Sequence, residues 1–134
     1  MTGQRVDCPP MSYDLAFVGA GNMAEAIARG LISTNTLAPE KMIAADIVPA
    51  RRTLFERDLG IKTVQTPAEA AHDANAVILA VKPQQMTDAL TQLATVVSEK
   101  TLIISIAAGI STRFIETHLG LGKPWRVVRT MPNT

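Results

Sequence analysis

The sequence predicts an α/β fold of the doubly wound kind, with a mainly parallel sheet and helices on both faces. Two patterns carry this. Short apolar runs rich in β-branched residues alternate with longer segments of helical period. Two of the runs, residues 76–81 and 102–106, are almost continuously apolar, as central strands covered on both faces are. Length and composition agree: 134 residues, 47% of them hydrophobic, suffice for one core without a metal or disulfide staple. Thirteen Lys and Arg against 12 Asp and Glu leave a formal charge of +1, so there is no electrostatic reason to expect nucleic acid or an anionic membrane as partner. Any anion must be held locally.

Residues 1–13 read as a disordered leader; Arg5, Asp7, Cys8, Pro9 and Pro10 interrupt any secretion-type apolar stretch, and Met11 is a candidate later start. Cys8 is the only cysteine, which suits a reducing compartment, and no apolar run reaches the length of a membrane span, so the cytoplasm is the default. Residues 14–134 read as one unit. Strands are expected at 15–18, 42–46, 76–81, 102–106 and 126–129, with a weaker one at 63–64. Helices are expected at 23–33, 50–59, 68–73, 84–97 and 112–119. In the fourth, Met86, Leu90, Leu93 and Val97 share one face, while Thr87, Asp88, Thr91 and Gln92 face water. Pro49 suits a first helical turn, Gly60 a left-handed helix end, and Ser111 an N-cap.

The strongest local signal is Val18-Gly19-Ala20-Gly21-Asn22-Met23-Ala24, where an apolar strand runs into Gly-x-Gly-x-x-Ala and a helix. Small residues at such a turn can be purely structural, but between a strand and a helix, with Asp46 ending a second strand, it reads as the dinucleotide-binding turn of the Rossmann fold: Gly19 allows the tight turn, Gly21 lets the backbone approach a pyrophosphate, and Ala24 lets the helix lie close to the sheet. The helix N-terminus offers unpaired N–H groups and partial positive charge to the phosphates. Asp46 closes the second strand 25 positions after Gly21, somewhat beyond the roughly 20 usual for a ribose-binding carboxylate, and the segment 34–41 accounts for the excess. A methyltransferase would also want a glycine turn and a later acid, but Ala24 favours a dinucleotide. Asp46 suits the free hydroxyls of NAD, whereas Arg51 and Arg52 suit a 2′-phosphate or are simply solvated helix residues, so the choice between NADH and NADPH stays open.

Three further segments are specific: Ala80-Val81-Lys82-Pro83-Gln84-Gln85-Met86, Ser105-Ile106-Ala107-Ala108-Gly109-Ile110 and Val128-Arg129-Thr130-Met131-Pro132-Asn133-Thr134. With the glycine turn, in this order and spacing, they make residues 15–134 resemble the pyrroline-5-carboxylate reductases. The resemblance implies hydride transfer from NADPH or NADH to the C=N carbon of 1-pyrroline-5-carboxylate, giving L-proline. It implies a cofactor cleft bordered by Val18, Gly19, Ala20, Gly21, Asn22, Met23, Asp46, Ala80, Val81, Lys82, Pro83, Ile106, Ala107, Ala108 and Asn133. It also implies a helical dimerisation and substrate domain that this chain lacks, and therefore a homo-oligomer for the whole enzyme. Family members often carry Asn where this chain has Pro67, which removes one expected cofactor hydrogen bond.

Lys82 reads equally as a phosphate or carboxylate ligand and as a solvent-facing turn residue. Arg129 reads either as a substrate or phosphate ligand or as an edge-strand residue, and no catalytic acid is identified. His72 and His118 fall in surface helix segments far from the strand ends, without metal-ligand or Ser/His/Asp spacing. The alternatives are a related imine or 3-hydroxyacid dehydrogenase cofactor domain and a non-catalytic dinucleotide-binding module.

Overall fold

A computed structural model of the protein describes residues 13–120 and 122–130. Six parallel strands form one sheet: β1 (Tyr13–Val18), β2 (Met42–Ala45), β3 (Lys62–Val64), β4 (Ala74–Leu79), β5 (Leu102–Ser105) and β6 (Arg126–Arg129), in the order β3-β2-β1-β4-β5-β6. This is the doubly wound order, in which the chain winds outward from β1 first one way and then the other. The intervening helices are α1 (Asn22–Ser33), α2 (Pro49–Leu54), α3 (Pro67–Ala71), α4 (Met86–Leu93) and α5 (Thr112–Leu119).

The period of two along β1 divides the core. Leu15 and Phe17 point to one face, where Ala24 and Ala28 of α1 and Phe55 pack; Ala16 and Val18 point to the other, against α3, α4 and α5. Phe17 and Phe55 meet edge to face at 6.3 Å, and both are fully buried. The small side chains of Ala24 and Ala28, one turn apart, bring α1 down onto the strands.

Several boundaries differ from the expected ones. Tyr13, expected in the leader over 1–13, belongs instead to β1, its N–H bonded to the Asp73 carbonyl at 3.0 Å; the rest of that expectation falls on residues 1–12, which lie outside the described residues. β4 starts and ends two residues earlier than expected because the chain leaves the sheet at Ala80. β2 stops at Ala45, leaving Asp46 in the loop. The second helix loses α-geometry in its last turn, which widens to a π-turn over Phe55–Leu59 and buries both end residues before Gly60 takes φ +73°. α4 is shorter than expected, entered by a 3-10 turn at Pro83–Gln85, yet Met86, Leu90, Leu93 and Val97 are all buried. α3 has a capping box the sequence reading did not use: Thr66 accepts from the Glu69 N–H, and Glu69 accepts from the Thr66 N–H. Ser111 caps α5 as expected, accepting from the Phe114 N–H at 3.0 Å.

β1 and β4 are the most central strands. β5, expected to be covered on both faces, buries Ile103 and Ser105 but only half-buries Leu102 and Ile104, because α1 and α2 lie over the other half of the sheet. β6 is an edge strand, with Val128 half exposed and Arg126 and Arg129 in solvent. No helix among the described residues is long and apolar enough to cross a membrane.

Candidate functional site

β1 and β4 are neighbours in the sheet, but their following helices pack on opposite faces, so the two chains part at the strand ends and leave a crevice. A cleft of about 270 Å³ opens there, walled by the ends of β1, β2, β3 and β4 and by one edge of α4. Of the residues expected at a cofactor site, it gathers Val18, Gly19, Gly21, Asp46, Ala80, Val81 and Lys82.

Gly19 is the tightest point of this site. Its φ is +105°, its N–H donates to the Ala45 carbonyl at 2.8 Å, and a Cβ placed on it would lie 2.8 Å from the Ala80 carbonyl oxygen. Glycine is required both by conformation and by the approach of a second backbone. Gly21 contrasts with it: a Cβ there would meet nothing within 4 Å. Gly21 is the N-cap of the twelve-residue α1, has extended backbone, and provides no side-chain cap. The first turn of α1 is thus without a side-chain cap, and the space a Gly21 Cβ would take beside the cleft is open, an arrangement that fits the pyrophosphate of a dinucleotide.

Asp46 in the β2–α2 connection and Arg51 in α2 grip the Ala20 peptide from two sides. The Asp46 Oδ2 accepts from the Ala20 N–H at 2.9 Å, and its Oδ1 accepts from the Val48 N–H at 2.9 Å. Arg51 Nε donates to the Ala20 carbonyl at 2.6 Å, and its Nη2 donates to Glu25 Oε1 at 2.8 Å. Arg29, one turn along α1, holds the other Glu25 oxygen at 2.9 Å. Together Arg51 and then Arg29 keep the Glu25 carboxyl below the usual carboxylate range. Arg51 is therefore neither a solvated helix residue nor a free anion ligand. Arg52 donates from Nη1 to the Asp46 carbonyl at 2.8 Å.

Among the described residues, the other expected site residues do not line this cleft. Ala20 is buried behind the turn, Asn22 is exposed at the start of α1, Met23 is half-buried beside it, and Pro83 opens the 3-10 turn after Lys82. Ile106, Ala107 and Ala108 follow β5 at the same end of the sheet; the Ile106 N–H bonds to the Leu79 carbonyl, Ala107 is buried with its N–H on Ser105 Oγ, and Ala108 is exposed. None of these three lines the cleft. Asn133 lies outside the described residues.

The cleft also has walls that the expected site residues do not include, although the resemblance had already placed Pro67 beside the cofactor. Gln65, Thr66 and Pro67 close one side, Ile47 stands exposed at its mouth, and Gln85, Asp88, Ala89 and Gln92 line it along α4. Asp88 and Gln92 were expected simply to face water; their separation by one turn puts them instead along the cleft. His72 pairs with its neighbour Asp73 at the surface, and His118 stacks on Phe114 at 4.2 Å; neither lines the cleft. No three His, Cys, Asp or Glu side chains gather into a metal site among the described residues.

The profile of the family described as NADP oxidoreductase coenzyme F420-dependent matches residues 14–109. A pyrroline-5-carboxylate reductase of Pseudomonas aeruginosa is 41% identical over 120 residues, covering 90% of this chain and 43% of that protein. One of Pisum sativum is 35% identical over 123 residues, covering 92% and 44%. The solved structure of a pyrroline-5-carboxylate reductase from Coxiella burnetii superposes with a TM-score of 0.83 at 35% identity, over 92% of this chain and 45% of that one. The chain thus spans less than half the length of these three relatives.

Proposed function

Because the chain belongs to the family described as NADP oxidoreductase coenzyme F420-dependent, we propose that it is the dinucleotide-binding part of a pyrroline-5-carboxylate reductase. The observation that carries this reading is the run of identity, 35 to 41% across nine-tenths of the chain, onto reductases of one name. The reaction adds a hydride and a proton across the C=N bond of 1-pyrroline-5-carboxylate and yields L-proline. The hydride is what NADH or NADPH supplies when bound.

This chain's own residues act by holding and orienting. Gly21 and the first-turn N–H groups of α1 receive the pyrophosphate, Asp46 the adenosine ribose, and Ala80, Val81 and Lys82 the opposite wall of the cleft. The turn at Ile106, Ala107 and Ala108 borders the nicotinamide end, and Asn133 is a further candidate by resemblance alone. Pro67 offers no side-chain donor and serves as an apolar wall. A protonated iminium is already electrophilic, so positioning and exclusion of water take precedence over a catalytic base. We assign a leader to residues 1–12 and the cofactor-binding domain to the rest. The substrate pocket and the homo-oligomer interface belong to the additional length found in the relatives, and the compartment is the cytoplasm.

The test is NADH and NADPH oxidation followed with 1-pyrroline-5-carboxylate, using this chain and a longer chain carrying the additional part. The expected result is weak cofactor binding and almost no turnover by the 134-residue chain, and turnover by the longer one. A longer chain that stays inactive with both cofactors sinks the reductase reading. A longer chain that instead reduces other imines or oxidises 3-hydroxyacids moves it to a related dehydrogenase.

A further inference from the structure

The glycine turn is loose by composition. Ala20 stands between two glycines, the residue type with the most backbone freedom to lose, and the two are held differently. Gly19 is crowded by the Ala80 backbone and bonded through its N–H to the Ala45 carbonyl. Gly21 has open space where a Cβ would stand, and its carbonyl accepts from the Glu25 N–H, the first bond of α1.

The peptide between Ala20 and Gly21 is held by Arg51. Nε of Arg51 donates to the Ala20 carbonyl at 2.6 Å, and the opposite end of that trans peptide is the Gly21 N–H. Holding the carbonyl therefore fixes the direction of the N–H as well, and with it the angle at which Gly21 opens α1. Arg51 is itself braced. Its Nη2 donates to Glu25 Oε1 at 2.8 Å, and its guanidinium carbon lies 6.0 Å from the centroid of the buried Phe55 ring. Both side chains of the ion pair are largely withdrawn from solvent, at 23% and 20% exposure, so the pairing is more than a loose surface contact. The base from which Arg51 reaches is fixed too: Asp46 accepts from the Val48 N–H just ahead of α2, and the Asp46 carbonyl accepts from Arg52 Nη1. Since Asp46 also accepts from the Ala20 N–H, a closed circuit of hydrogen bonds ties both sides of Ala20 to the start of α2.

We propose that Arg51 is a positioning residue for the dinucleotide pyrophosphate: standing outside the cleft, it locks the Ala20–Gly21 peptide from behind and presets the first turn of α1 before the cofactor arrives. This rests on the dinucleotide reading above. Without the lock, binding itself must order the turn, and affinity falls. The pyrophosphate is common to both dinucleotides, so NAD+ and NADP+ lose alike. Glu25 acts through Arg51 by holding its guanidinium.

Calorimetric titration of the chain with NAD+ and with NADP+, beside amide hydrogen exchange of the ligand-free chain, tests it. Arg51→Ala weakens both dinucleotides about tenfold, with their ratio unchanged within about twofold. It speeds exchange of the Ala20 and Glu25 N–H groups, whose acceptors are Asp46 and Gly21, while Phe17 and Val18 in β1 exchange as in wild type. Glu25→Ala weakens both dinucleotides about threefold, although removing a carboxylate from the first turn of α1 would by charge alone tighten a polyanion. The double variant binds no more weakly than Arg51→Ala. Wild-type affinity in Arg51→Ala, exchange speeded equally in β1, or tighter binding by Glu25→Ala overturns the proposal. Should Arg51→Ala not fold, Glu25→Ala decides by the sign of its effect. Wild type that binds neither dinucleotide instead defeats the underlying reading, and the proposal with it.

Discussion

Two glycine-containing turns leave the same end of the sheet, one after β1 and one after β5, and they use small residues for different reasons. At Gly19 the backbone is left-handed and a second backbone, that of Ala80, occupies the space of a Cβ. At Gly109 the backbone is also left-handed, with φ +76°, but a Cβ would meet nothing within 4 Å. The first turn is fixed from outside by Asp46, Arg51 and the parting of β1 and β4. The second is fixed by its own dihedral angle and by the local bond from the Ala107 N–H to Ser105 Oγ. Small residues alone therefore do not mark a ligand site; what crowds or vacates the space beside them does.

Substitutions separate the two cases. Gly19→Ala combines a strained φ with contact against immovable backbone and should cost about 3–5 kcal/mol in chemical denaturation, or leave no folded protein; a loss below about 1 kcal/mol would refute the crowding argument. Gly109→Ala carries the dihedral penalty alone, about 1–2 kcal/mol by the same measurement. Gly21→Ala has ordinary dihedrals and open space, so stability changes by no more than about 0.5 kcal/mol. Its dinucleotide affinity, read by calorimetry, should fall about tenfold because the new methyl group enters the phosphate cradle. Unchanged affinity would remove Gly21 from the site.

The smallest expected effect concerns pH. Arg51 and Arg29 depress the Glu25 pKa in the folded state, so the unfolded chain takes up this proton first as pH falls. The stabilisation is present above the unfolded value of about 4.3 and fades as pH drops through the lower folded value. Between neutral pH and pH about 3 the wild type should lose slightly more stability than Glu25→Gln, measured as the shift of the thermal midpoint. Equal losses would show that the Arg51–Glu25 pair does not contribute to holding the glycine turn.

The fold was legible because its signals are local or periodic. Six apolar runs, the helical spacing of Met86, Leu90 and Leu93, the cap at Ser111 and the stop at Gly60 each lie within a few residues of what they specify. The glycine turn was legible for the same reason. The grip on Ala20 was not: its bonds to Asp46 and Arg51 span 26 and 31 positions, and nothing near Arg51 in the chain names Glu25 as its partner. The α4 wall lay between these cases. Gln85, Asp88 and Gln92 have the spacing of one helix face, but polar residues at that spacing also describe an ordinary solvated face, and only the position of β3 and Pro67 opposite them makes a cleft.

The strand order has a consequence for how the chain comes off the ribosome. β1 is made first, and its partner on one side, β2, follows within about thirty residues, but the partner on the other side, β4, ends only at Leu79. Until then the β3-β2-β1 half exposes a flat inner edge, the backbone groups of Leu15, Phe17 and their neighbours open to any other extended chain. The glycine turn is incomplete over the same interval, since the backbone that crowds Gly19 belongs to Ala80. The docking of β4 onto β1, once Ala80 is available, therefore closes the vulnerable edge and completes the packing around Gly19 together.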